Sequence, residues 1–228
     1  ELGATTLGVW SRRAAVDVLS AGQVDHLLAT GVWQRVLPGV YADGGYVLDP
    51  LQLAVAAALA TGDPVTRQPG ERARAVVCGR TAARVHGLPL IDDDDAATGA
   101  AEHLVDDVHT FRARSGRSDS FSGAGRELRR HRLTLLEEDL VRHPCGLLLT
   151  SALRTAVDCA RLLPFEAAVC LLDAGLHRSR FTTHDLAEAV RVRQGWPGVR
   201  RLAAAIASAD GRSESPAESL ARLALLPA

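Results

Sequence analysis

Four cysteines, eight histidines and a few interior carboxylates are the side chains in this sequence best equipped for chemistry. Cys78, Cys145, Cys159 and Cys170 form no C-x-x-C pair, and three of them sit inside apolar stretches. Zinc needs ligands converging at short spacings, and a disulfide framework belongs to much smaller secreted chains, so reduced, buried thiols are expected. The histidines form neither H-x-x-x-H nor H-E-x-x-H, so neither a metal nor a cofactor is expected. Asp158 and Asp173 raise the idea of a catalytic carboxylate pair, and Glu218 that of a helix-borne acid. Against this, all 26 basic residues are arginine. Without a lysine there is no P-loop lysine, no Schiff base and no E-x-K nuclease motif. Structural roles are therefore expected: Asp158 follows Arg154 at the i, i+4 spacing of a helical ion pair, and Glu218 sits where a capping box places its acid. No enzymatic activity is expected.

Stepping from these residues to the whole chain, 228 residues suggest one or two compact units. Apolar residues at 47% and charged residues at 23% exclude wholesale disorder. A formal charge of −1 excludes a uniformly basic nucleic-acid coat but leaves room for local patches. Residues 92–107 hold seven acids and no arginine, the pattern of a solvated loop, whereas residues 108–132 hold seven arginines against two acids. The longest apolar run, Leu53–Ala60, is far short of the roughly 20 residues that span a bilayer. No basic segment followed by an apolar run opens the sequence, so a soluble cytoplasmic protein is expected, without signal peptide or membrane partner.

The elements that must position these residues are readable in outline. Ser11 can cap a short helix over Arg12–Leu19. Ser20 and Gln23 then form an S-x-x-Q capping pattern ahead of Val24, Leu27 and Leu28, and Gly31 is placed to end that helix. Val32–Tyr41 reads as a strand, a Pro-Gly turn and a second strand. Trp33 and Tyr41 flank that turn and read as core anchors. Two helices followed by a hairpin are the pattern of a winged helix-turn-helix. Asp49 and Pro50 open a helix over Leu51–Ala60. Ala75–Cys78 reads as a buried strand and Thr81–His86 as a small helix. Val108–Arg112 and Arg130–Leu135 read as strands with a Ser/Gly-rich loop between them, and Gly146–Leu149 as a third. Beyond Thr150, helical periodicity recurs over 151–163, 165–176, 184–193, 198–209 and 217–226. The expected class is α+β in three parts: a winged helix-turn-helix over 1–48, a mixed α/β region over 49–149 and a helical region over 150–228.

Four runs resemble the AbiEi-type antitoxin and transcriptional-regulator family in its actinobacterial form. They are Gly31-Val32-Trp33-Gln34-Arg35-Val36-Leu37-Pro38-Gly39-Val40-Tyr41, Gly79–Leu88, Thr150–Asp158 and Ser213–Ser219. The resemblance spans residues 10 to 222. It implies a winged helix that binds operator DNA and represses its own operon, and a C-terminal region that counteracts a nucleotidyltransferase-like toxin without a stable complex. In many relatives the last motif opens an endonuclease domain similar to very-short-patch-repair nucleases, and few residues follow it here. Two alternatives therefore stand beside the regulator: the regulatory front of such an endonuclease, and a protein-interaction module.

The residues expected to meet double-stranded DNA are Ser11, Arg12, Arg13, Gln23, His26, Thr30 and Arg35, on the two helices and the wing. A second basic patch is expected from Arg112, Arg114, Arg117, Arg129, Arg130 and Arg132. It can face phosphates or an acidic partner, or neutralise the acidic 92–107 stretch of the same chain. The first 50 residues carry three arginines (12, 13, 35) against five acids (1, 17, 25, 43, 49), so this region alone offers few phosphate contacts. Arg178–Arg201 adds six further arginines against Asp185 and Glu188.

Overall fold

Residues 6–62, 65, 75–91, 104–110, 119–123 and 126–225 are described by a computed structural model. The chain forms two compact units, one of Glu1–Thr81 with Ala101–Thr150, the other of Ala82–Ala100 with Ser151–Ala228.

The first unit opens with β1 (Val9–Ser11), α1 (Arg12–Val16), α2 (Ala21–Ala29), β2 (Trp33–Leu37) and β3 (Val40–Asp43). The strands form an antiparallel sheet in the order β1-β3-β2. Ser11 caps α1 by accepting the Ala14 amide. That helix is shorter than the expected Arg12–Leu19. The Ala15 carbonyl accepts both the Val18 and Leu19 amides, which tightens the chain into a turn before Ser20. Ser20 and Gln23 then close a reciprocal capping box on α2. Gly31, at φ +73°, carries the chain out of α2 and into β2.

α3 (Pro50–Ala60) has a second capping box, Asp49 with Gln52, around a proline at the first helical position. The Gln52 Nε2 also donates to the Leu7 carbonyl at 2.9 Å, tying this helix to the chain ahead of β1. Ala54 to Ala58 are consecutively buried. A helix buried on every face must be covered on every face, and α3 lies against β1, β2 and β3 as well as β4 and β5. Its run of alanines lets both sheets approach closely.

The second sheet holds β4 (Ala75–Val77), β5 (Leu104–Thr110), β6 (Asp119–Gly123), β7 (Arg126–His131), β8 (Leu140–Arg142) and β9 (Leu148–Thr150), in the order β6-β7-β5-β4-β9-β8. The pairs β4–β9 and β5–β7 are parallel. Three expectations are corrected here. The acidic stretch is not all loop, because Leu104 to Asp107 already pair with β7. The Ser/Gly-rich segment contains β6, and the strand expected at Arg130–Leu135 is β7, four residues earlier. In each case cross-strand pairing to a neighbour overrides a weak local pattern.

The second unit is helical: most of α4 (Gly79–Val85), then α5 (Ala152–Ala160), α6 (Phe165–His177), α7 (Thr183–Val192), α8 (Val199–Ser208) and α9 (Pro216–Leu225). Val157, Leu171, Leu172, Leu186 and Leu202 form the centre of its core. On α6, Val169 and Leu172 are buried in this core, while Phe165 at its start is exposed. Among the described residues, no helix is long and apolar enough to cross a membrane.

Candidate nucleic-acid interface

The surface under test is built on α2 and the β2–β3 hairpin. Trp10, Trp33 and Tyr41 fill the space beneath them with Ala15 and Val24. Trp10 meets Trp33 edge-on at 4.8 Å between centroids, and Trp33 stacks with Tyr41 at 6.3 Å. These contacts anchor the hairpin to the helices, as expected for Trp33 and Tyr41. The Pro38-Gly39 turn is docked rather than free: Gly39, at φ +72°, accepts the Arg12 amide at 2.7 Å.

The seven sequence-nominated residues divide cleanly. Ser11 is spent on the α1 cap, and Gln23 accepts the Ser20 amide at 2.8 Å. The Thr30 hydroxyl donates back to the His26 carbonyl at 2.9 Å. The Arg12 guanidinium donates to the Tyr41 hydroxyl at 3.1 Å and to Asp25 at 3.2 Å. Those two bonds, Tyr41 first, hold its pKa above the ordinary arginine value. Arg13, Gln23, His26, Thr30 and Arg35 are exposed, and of these the side chains of Gln23 and Thr30 are engaged in the α2 caps. The pairing of Asp25 with Arg12 neutralises that acid and also removes one cation from the count.

Two features were not legible. Gln34 Nε2 donates to the Asp43 and Tyr46 carbonyls, both at 2.8 Å, and braces the loop after β3. Tyr46 and Val47 on that loop are 71% and 99% exposed. Nothing in local spacing distinguishes this glutamine from a solvated one.

Of the second patch, Arg112, Arg114 and Arg117 lie outside the described residues. Arg129, Arg130 and Arg132 lie on or just after β7. Arg129 makes a two-pronged bond to Glu127, at 3.0 and 3.1 Å, and Arg132 is exposed. The register sets Asp107 opposite Arg129, so acidic and basic stretches adjoin along β5 and β7. β2, which carries Arg35, packs against β6 and β7. Arg35 and the β7 arginines thus stand on neighbouring strands of one unit.

No protein-family model matches this chain. Two uncharacterized proteins, from two strains of Mycobacterium tuberculosis, are each 37% identical to it over 81 residues. That stretch is 36% of this chain and 30% of each relative. The chain thus spans under a third of the length of the curated relatives it matches.

The carboxylates of the helical unit are occupied. Asp158 accepts from Arg154 at 2.7 Å and from Arg161 at 3.3 Å, almost wholly buried. Arg154, Arg161 and Arg193 stand 5.3, 5.7 and 5.4 Å from the centroid of the Trp196 ring. Asp173, 1% exposed, accepts from Arg222 at 2.7 Å and from the Asp210 amide at 2.6 Å. Arg222 also donates to the Ser208 carbonyl at 2.8 Å, so this node joins α6, the end of α8 and α9. Glu218 accepts the Glu214 amide at 2.8 Å, a capping role. Carboxylates held this way are committed to arginine or amide donors, and the expected i, i+4 pair of Arg154 and Asp158 proves buried rather than solvated. Asp210 is held at about 2, first by its hydrogen bonds from Arg212. Among the described residues, no group of three or more His, Cys, Asp or Glu could hold a metal ion.

Proposed function

We propose that this chain is a DNA-binding transcriptional regulator of the AbiEi-like antitoxin kind. In this reading residues 1–48 are a winged helix-turn-helix that binds operator DNA, with α2 in the major groove and the β2–β3 hairpin as the wing. The observation that carries it is the connectivity: strand, helix, helix, strand, strand, with the first strand closing on the last in the order β1-β3-β2. This is how a winged helix is wired, and the outer face of α2, with His26 near its middle, is solvent-facing as a recognition helix must be. Arg13 and Arg35 supply phosphate contacts, and autorepression follows if the bound site overlaps the protein's own promoter. The antitoxin role, against a nucleotidyltransferase-like toxin and without a stable complex, rests on the family resemblance of the four sequence runs.

A reporter gene driven by the region upstream of this protein's own gene tests the reading. Expression of the chain should repress the reporter, and His26→Ala with Arg35→Ala should relieve repression without lowering protein level. Undiminished reporter output in the presence of folded protein would overturn it. Co-expression with the neighbouring gene tests the second half, since an antitoxin restores growth that its toxin arrests.

A further inference from the structure

Three of the four cysteines are buried as expected: Cys78, Cys159 and Cys170 are 1%, 5% and 1% exposed. Cys145 departs from that expectation. It sits, half-buried, in the turn that joins β8 to β9. The turn is tightly closed. The His143 amide donates to the Leu147 carbonyl at 2.9 Å and the Gly146 amide to the His143 carbonyl at 2.8 Å, with Pro144 second in the turn. This closure folds Cys145 back over the His143 ring, with Sγ 3.1 Å from Nδ1. The Cys145 amide also donates to Nδ1, at 3.3 Å, which makes Nδ1 the acceptor and leaves the neutral ring's proton on Nε2. Arg142 reaches into the same turn, its guanidinium donating to the Gly146 carbonyl at 3.2 Å. A thiol with a base within hydrogen-bonding reach is the arrangement of an activated cysteine.

We infer that Cys145 is a reactive thiol that undergoes exchange with low-molecular-weight disulfides, with His143 as its base. The thiol proton passes to His143 Nδ1. Sγ attacks one sulfur of the disulfide, and the Cys145–S bond forms as the old S–S bond breaks. The electron pair leaves on the departing thiolate, which takes the proton from His143. Cys145 is oxidised to the mixed disulfide and the departing sulfur is reduced, so no further oxidant is needed. The other three thiols are shielded by burial, and burial, ahead of the nearby Asp173 charge, also raises the Cys170 pKa. This inference is independent of the DNA-binding reading.

The test is reaction of the intact folded chain with dithiodipyridine, followed by absorbance, with the modified residue located by mass spectrometry. One thiol per chain should react rapidly near pH 7, at Cys145, and Cys145→Ser should abolish that phase. His143→Gln and His143→Asn should each slow it about tenfold near pH 7, and the gap should close as pH is raised, because hydroxide then takes over the work of the base. A base role predicts that convergence, whereas a merely structural role leaves the gap open. A variant that unfolds declares itself by reacting at the buried cysteines too, and the other His143 variant then decides. The inference is overturned if no fast thiol exists, if the fast thiol is not Cys145, or if a folded His143 variant reacts at the unsubstituted rate.

Discussion

Asp173 and Asp158 are the residues at which a charge change costs the most. Removing Arg222 leaves Asp173 buried with one amide donor and no counter-charge, so Arg222→Ala should lower stability by about 3 kcal/mol in urea unfolding. Arg222→Lys should recover only part of this, because one ammonium cannot serve both Asp173 and the Ser208 carbonyl with guanidinium geometry. Asp210 offers a pH test at the same node. Its folded pKa, about 2, lies below the ordinary carboxylate value, so the ionised form favours the fold. That contribution is fully present above about pH 4 and is lost as pH falls through 2. Arg212→Ala should therefore lower stability near neutrality, flatten the acid limb over that window and leave stability unchanged below about pH 2. At this scale the sequence was informative where partners are close in the chain. Ser20 with Gln23, Ser11 with Ala14 and Arg154 with Asp158 were all readable from spacing. Arg12 with Asp25, Gln34 with Tyr46 and Arg222 with Asp173 were not, because the fold, not the chain, makes them neighbours.

Elements were legible in proportion to their length and to the strength of their caps. The five helices after residue 150 fall within three residues of where periodicity set them, since each has an apolar stripe and most begin at a proline or a polar cap. β8 is three residues, too short to show alternation, and β6 is Ser- and Gly-rich, so only pairing reveals them, whereas β9 overlaps the strand read at Gly146–Leu149. The start of α8 carries a prediction of its own. Gly198 is at φ +80°, and a Cβ there would lie 2.2 Å from the Arg161 carbonyl oxygen. Gly195 is at φ +86° but faces open space. Both alanine substitutions incur the backbone penalty of about 1 kcal/mol, and only Gly198→Ala adds the clash. Thermal unfolding should place Gly198→Ala well below Gly195→Ala. Equal midpoints would mean that α8 is not seated on the end of α5 as described.

For the whole molecule, the sign of the net charge is a poor guide to its surface. The chain is −1 overall, yet exposed arginines recur at 13, 35 and 132, with Arg35 on a strand adjoining β7. A duplex carries one charge per roughly 1.7 Å of axis, so a bound protein presents its cations to it. Substituting Arg132→Glu in the full chain should weaken binding to every duplex alike without altering which sequence is preferred, as a competition assay would show. His26→Ala should change the preference instead, because base edges, not phosphates, distinguish sequences. The most direct test of the account is a titration of the full chain against its own upstream DNA and a scrambled duplex, at several salt concentrations, with and without Arg35→Ala. The account predicts tighter binding to the upstream DNA, affinity falling steeply with salt, and a salt slope smaller by about 1 in the variant. Equal affinity for both duplexes, or an Arg35→Ala protein with unchanged affinity and slope, would contradict it.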